Sequence, residues 1–155
     1  MDANLLRQYL ATVYELPTVN GPLRASMDGD IVTDPSTLPE LLTKPFVVLT
    51  AFNPRSMLLP RKVNDARHNV MRDLLILGCY RVEICVGYEE DPEGTWREPS
   101  WLVHGMERDE AIAFGRVFRQ NVIIACRNAR PEVVVTDPTC DELSKTIVGN
   151  WRVRT

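Results

Sequence analysis

Two strands apolar on both faces, one strand of strict alternation, a further short strand and two helix-period segments fall in the order strand–helix–strand–strand–helix–strand. That order predicts an α+β fold, a ferredoxin-like split βαβ sandwich (βαββαβ plus an extra C-terminal strand) with an added N-terminal helix. Strands one and three are then central, the sheet order is 4-1-3-2, and a fifth strand outside the fourth makes the fourth interior. The 155 residues suit a single domain: an N-terminal helix and Pro-rich lead-in over 1–45, a core over 46–136 and a C-terminal tail over 137–155.

Leu6, Tyr9, Leu10, Val13 and Leu16 share a stripe, so residues 2–16 read as an amphipathic helix. Five prolines and two glycines punctuate 17–45, which reads as loop with a short strand near Leu23–Met27 and a helical turn near Leu38–Leu42. Strand one, Phe46–Phe52, is apolar except for Thr50 and is expected to be covered on both faces. Helix one, about Val63–Leu77, is expected to bury Ala66, Val70, Leu74 and Leu77 and to stop at Gly78. In strand two, Tyr80–Tyr88, the alternation puts Tyr80, Val82, Ile84, Val86 and Tyr88 inward, with Arg81 and Glu83 outward. An acidic loop spans 89–99, and strand three is Ser100–His104. Helix two, about Asp109–Arg119, carries Gly115, which costs helix stability and so suggests close approach to a neighbour. Strand four, Val122–Cys126, is apolar throughout, Glu132–Val135 forms the fifth strand, and Trp151 is an anchor for the polar tail.

The 45% apolar and 25% charged fractions are those of an ordinary globular protein, and a net charge of −3 carries no global signal for nucleic acid. Charge is uneven: five cations against Asp65 in 53–72, nine acids against Arg97 and Arg108 in 83–110, and four arginines in 116–130. There is no signal peptide and no apolar run of membrane-spanning length, so the expected compartment is the cytoplasm. Cys79, Cys85, Cys126 and Cys140 lack CxxC spacing and read as buried reduced thiols. With His68 and His104 standing alone, no metal site is expected, and no cofactor motif is present.

The split βαβ topology brings polar residues from five segments to one end of the sheet. These are Asn53, Arg55, Ser56, Asn64, Arg67, Glu98, Ser100 and Gln120. Singly each has a structural explanation: Asn53 before Pro54 as a turn starter, Asn64 as a helix cap, Gln120 at a helix end. Together they form a candidate ligand site. The N-terminus of helix one offers free N–H groups, and Arg55 and Arg67 add charge suited to a phosphate or carboxylate. Glu98 complements them as an acceptor or general base.

The segments that carry this constellation are also those of a known pattern. "TAFNP" at 50–54 is followed by Asn64, Arg67, Asn69, Leu74 and Gly78. Trp96, Glu98, Ser100 and Gly105 come next, then Ala111, Gly115, Phe118, Gln120 and Asn121. In these motifs, from about Phe46 to Val135, the chain resembles the bacterial domain-of-unknown-function family 3293. It departs where Phe52 replaces a usual tryptophan and where Asn64-Asp65, after Val63, replaces a usual Glu-Asn pair. That family carries no established activity, so the resemblance implies a shared outline and no chemistry.

Without a Ser/His/Asp arrangement, a Walker glycine loop or a dinucleotide fingerprint, binding is expected ahead of catalysis. The leading expectation is a small anionic or amide-bearing ligand. The alternative is a protein partner, met by exposed Trp96 and Trp101 around the acidic loop and by the charged surfaces. RNA binding ranks last, because "SWLVHGM" lacks the Gly-aromatic pattern and the chain is acidic.

Overall fold

A computed structural model describes residues 3–90, 93, 96–139 and 146–154. Its helices are α1 (Ala3–Ala11), α2 (Glu40–Thr43), α3 (Arg61–Leu77) and α4 (Arg108–Val117). Its strands are β1 (Val13–Leu16), β2 (Leu23–Ser26), β3 (Phe46–Leu49), β4 (Val82–Tyr88), β5 (Arg97–His104), β6 (Val122–Arg127), β7 (Arg130–Val135), β8 (Thr146–Val148) and β9 (Arg152–Arg154). They form one nine-stranded sheet in the order β8-β7-β6-β3-β5-β4-β1-β2-β9, every neighbouring pair antiparallel.

This architecture overturns the ferredoxin-like sandwich. The run β6-β3-β5-β4 has the expected 4-1-3-2 order, and β7 lies outside β6. But β1, β2 and β9 continue the sheet past β4, and β8 extends it past β7, giving a curled half-barrel instead of a two-layer sandwich. The added strands are only three or four residues long, too short for period-2 alternation to stand out from a loop or helix. Residues 13–16 show the ambiguity: Val13 and Leu16 prolong the apolar stripe of α1 by helical spacing. Yet the helix ends at Ala11, with the Thr12 hydroxyl donating back to Gln8 O at 2.9 Å, and the chain pairs with β2 and β4.

The central strands bury both faces. Val47, Leu49, Trp101, Val103, Ile123 and Ala125 lie under α3 and α4. Phe46, Val48, Leu102, Ile124 and Cys126 face the other way, toward Leu6, Tyr9 and Leu10 of α1 and Leu42 of α2. Trp151 is buried on that second face, its ring 6.1 Å from Phe46. Gly115 makes the expected close approach, since a Cβ there would stand 2.8 Å from Ile123 Cγ2 and from Thr136 Cγ2.

Two burial expectations fail. In α3 the buried residues are Asn64, Met71 and Leu75, while Ala66, Val70, Leu74 and Leu77 are exposed. In β4 it is Cys85 and Gly87 that are buried, and Ile84 is 69% exposed. In α3 polar residues with internal partners displace the apolar stripe from the covered side, whereas in β4 the alternation holds with the opposite face covered. Among the thiols Cys85 and Cys126 are free and buried and Cys79 is free and exposed; Cys140 lies outside the described residues. No helix among the described residues is long and apolar enough to cross a membrane.

Candidate ligand site

The turn after β3 is built on unusual backbone. Asn53 (φ 45°), Arg55 (φ 53°) and Ser56 (φ 59°) all sit in the left-handed region, which asparagine tolerates better than arginine or serine. Hydrogen bonds from distant segments hold it there. The Asn53 N–H donates to Asn64 Oδ1 at 2.9 Å, and Asn53 Oδ1 accepts from Asn64 Nδ2 at 2.8 Å and from Leu59 N at 3.1 Å. Asn64 is therefore no helix cap. The N-cap of α3 is Pro60, without a side-chain hydrogen bond, and Asn64 is buried one turn later as half of a reciprocal amide lock.

The two arginines are also engaged with the fold. Arg67 donates from Nε to Ala51 O at 2.8 Å and from Nη2 to Phe118 O at 2.6 Å, tying the end of β3 to the end of α4. Arg55 donates through its backbone to Arg119 O at 2.7 Å and through Nη1 to Gln120 O, and its Nη2 lies 3.5 Å from Asp137. Gln120 in turn donates from Nε2 to Phe52 O at 3.0 Å.

On the other side of this lock lies a cavity of about 310 Å³, between α1 and the sheet face opposite α3 and α4. Five of the eight expected residues line it: Asn53, Ser56, Glu98, Ser100 and Gln120. Arg55, Asn64 and Arg67 are not in its walls, and neither is the N-terminus of α3, so the expected anion subsite is not assembled here. The floor is apolar, with Val48, Val122 and Ile124.

Residues outside the expected set complete the walls, notably Tyr9 of α1, Tyr14 of β1, Thr50 and Asn121. Thr50 carried a readable signal, being the one polar residue within the apolar run from Phe46 to Phe52. Tyr14 carried none, because its strand reads as the end of a helix. Strand register explains its placement: Tyr14 pairs with Gly87, and Gly87 with Glu98, so the three form one row across β1, β4 and β5. Gly87 keeps that row open, since a Cβ there would stand 3.2 Å from the Tyr14 ring. Trp96, half-buried, lines the cavity, whereas Trp101 is not the exposed anchor expected. It is buried, stacked 4.1 Å from the His68 ring, and donates to His68 O at 3.0 Å. Residues 91, 92, 94 and 95 of the acidic loop lie outside the described residues, and 97–99 belong to β5.

Burial governs the electrostatics. It pushes the Glu98 carboxyl up to about 7, against a lowering hydrogen bond from Thr50. It raises Tyr14 well above the usual phenol value, with Cys85, Glu98 and Tyr9 adding to the effect. Tyr9 is raised by burial too, opposed mainly by hydrogen bonding to Asn121. At neutral pH the cavity therefore holds two un-ionised phenols and a carboxyl near its midpoint. Burial also lowers His68, behind the sheet, to about 4. No group of three or more His, Cys, Asp or Glu side chains that could hold a metal occurs among the described residues.

Residues 49–123 match the family model described as Protein of unknown function (DUF3293). No curated protein and no solved structure matches the chain. The matched stretch contains the Asn53–Asn64 lock, Arg67, Glu98, Ser100 and Gln120; Tyr9 and Tyr14 lie before it. Across that stretch, from the end of β3 into β6, the chain is similar to the DUF3293 family, as its motifs from Thr50 to Asn121 imply.

Proposed function

We propose that this chain is a small-molecule-binding domain whose ligand occupies the cavity between α1 and the sheet. The observation that carries the reading is one cleft of about 310 Å³ that gathers Asn53, Ser56, Glu98, Ser100 and Gln120 from three separate segments. An apolar floor with a few convergent polar groups is the usual make-up of a ligand pocket, and this volume is at the small end of the range. The ligand is amide-bearing or otherwise rich in hydrogen-bond donors. An anion is disfavoured, because both guanidiniums that would receive it are spent on backbone carbonyls and Asp137.

The test is a ligand screen followed by amide chemical-shift mapping. Ligands of this site are expected to move resonances at Thr50–Ser56, Glu98–Ser100 and Gln120–Asn121. An Asn121→Phe variant, which narrows the cavity from its rim, is expected to abolish those shifts while melting close to the wild type. Ligands that bind the variant unchanged, or that move only resonances of the α3 face, would refute the reading.

A further inference from the structure

The charge in the cavity walls is of one sign. Glu98 and Glu89 line it, and among its described residues there is no lysine or arginine. Arg55 is close enough to favour ionisation of the Tyr9 phenol, but its guanidinium is taken by Gln120 O and Asp137. Among the described residues Glu98 has no ion-pair partner. Its neighbours are the phenols Tyr9 and Tyr14, the Thr50 hydroxyl, and Ser100, which donates to Glu98 O at 3.3 Å. Three aromatic side chains, Tyr9, Tyr14 and Trp96, stand in the same walls.

A carboxylate taken out of water is costly unless a cation or several donors meet it. Aromatic faces attract the same kind of group, an ammonium, through their quadrupoles. Resting on the cavity reading above, we propose that the ligand is a small aliphatic amine whose ammonium group docks on the Glu98 carboxylate beside Tyr9 and Tyr14. Binding is then proton-linked. A carboxyl with its midpoint at about 7 must lose its proton to receive the cation, so affinity climbs as pH rises through that value. Tyr9, Tyr14 and Cys85 are held neutral there by burial. Glu89, at the end of β4, adds a second negative group to the same walls.

Putrescine, 1,4-butanediol and succinate serve as cationic, neutral and anionic probes of similar length, followed by chemical-shift titration of the full chain. Putrescine is expected to bind at least about tenfold more tightly than the other two, the discrimination of one charge-assisted hydrogen bond. Its affinity is expected to rise about tenfold or more from about pH 5.5 to about pH 8, where an amine stays protonated. Glu98→Gln, close in shape and neutral, is expected to fold and to erase both effects; the wild-type pH profile gives the same test without any variant. If the diol or succinate binds as well as putrescine at the cavity resonances, or if the pH profile is flat, the amine inference falls and the cavity reading stands. If none of the three moves a cavity resonance, both fall.

Discussion

The polar residues at this end of the sheet divide into two groups by whether the fold already supplies their partners, with Asn53 at the border between them. Asn53, Asn64, Arg67 and Arg55 end their hydrogen bonds on one another, on backbone carbonyls and on Asp137, and so hold a left-handed turn and the ends of β3 and α4 in place. Tyr9, Tyr14, Glu98 and Ser100 stand a few residues away in space, around an apolar floor, and border an open volume. The first group is the structural support of the second. A polar residue at a strand end is thus no sign of a site by itself; what distinguishes a site is whether the side chain's partners are already supplied by the fold.

The sharpest way to break this division is to remove a member of the lock. Asn64→Leu leaves the Asn53 N–H without its acceptor and Asn53 Oδ1 with Leu59 N alone, and Arg67→Ala leaves Ala51 O without its side-chain donor and Phe118 O with only the 3.4 Å contact from Gln120 Nε2. Each is expected to destabilise the fold by about 2–4 kcal/mol in urea denaturation, the cost of stranding several buried polar groups. If either variant instead kept its stability and lost only ligand binding, the lock would belong to the site and the division would fail.

The legible and illegible parts of the molecule separate along the same line. The adjacency of β6, β3, β5 and β4 was readable because Val122–Cys126 and Phe46–Leu49 are apolar on both faces, which only interior strands can bury. The extent of the sheet was not, because β1, β2, β8 and β9 are too short to show a period. In α3 the apolar stripe through Val70, Leu74 and Leu77 misleads. The face toward the sheet carries Asn64, Arg67 and His68 beside Met71 and Leu75; Asn64 and Arg67 find hydrogen-bond partners inside, and the His68 ring stacks on Trp101 with its buried Nδ1 unpartnered among the described residues. The end of the sheet where polar segments converge was readable from topology, and five of its eight residues do line one cavity. Whether a guanidinium's donors end on a carbonyl or on a ligand depends on backbone geometry, which spacing does not carry.

A smaller effect comes from the cavity side, through Glu98. Its carboxyl is raised to about 7 in the fold, so the native state holds the proton that the unfolded chain releases at lower pH. Its contribution to stability is complete below about 4.3 and is lost as pH rises through about 7. His68 has the opposite sign: lowered to about 4, it contributes fully above about 6.5 and loses that contribution as pH falls through about 4. The two oppose each other over most of the weakly acidic range. Glu98→Gln removes one of them, so the variant should gain about 1–3 kcal/mol over the wild type near pH 8 and nothing near pH 4. Its stability should then fall steadily with acid through the His68 range. Denaturant midpoints measured across pH check both slopes; parallel curves for variant and wild type would place Glu98 among groups whose partners the fold already supplies.

The smallest effect is expected where a hydrogen bond borders the cavity without holding backbone. Asn121 Nδ2 donates to Ser56 Oγ at 2.9 Å across the rim, and the bond is exposed. Water replaces either partner when the other is removed, so Ser56→Ala is expected to change stability by less than about 0.5 kcal/mol. This is the most delicate probe of the division, because Ser56 belongs to the same left-handed turn as Asn53. A loss above about 1 kcal/mol in urea denaturation would mean that the rim bond also restrains the turn, and the lock would then reach into the cavity wall. A negligible loss together with weakened putrescine binding would set the boundary between support and site at this serine, within one four-residue turn.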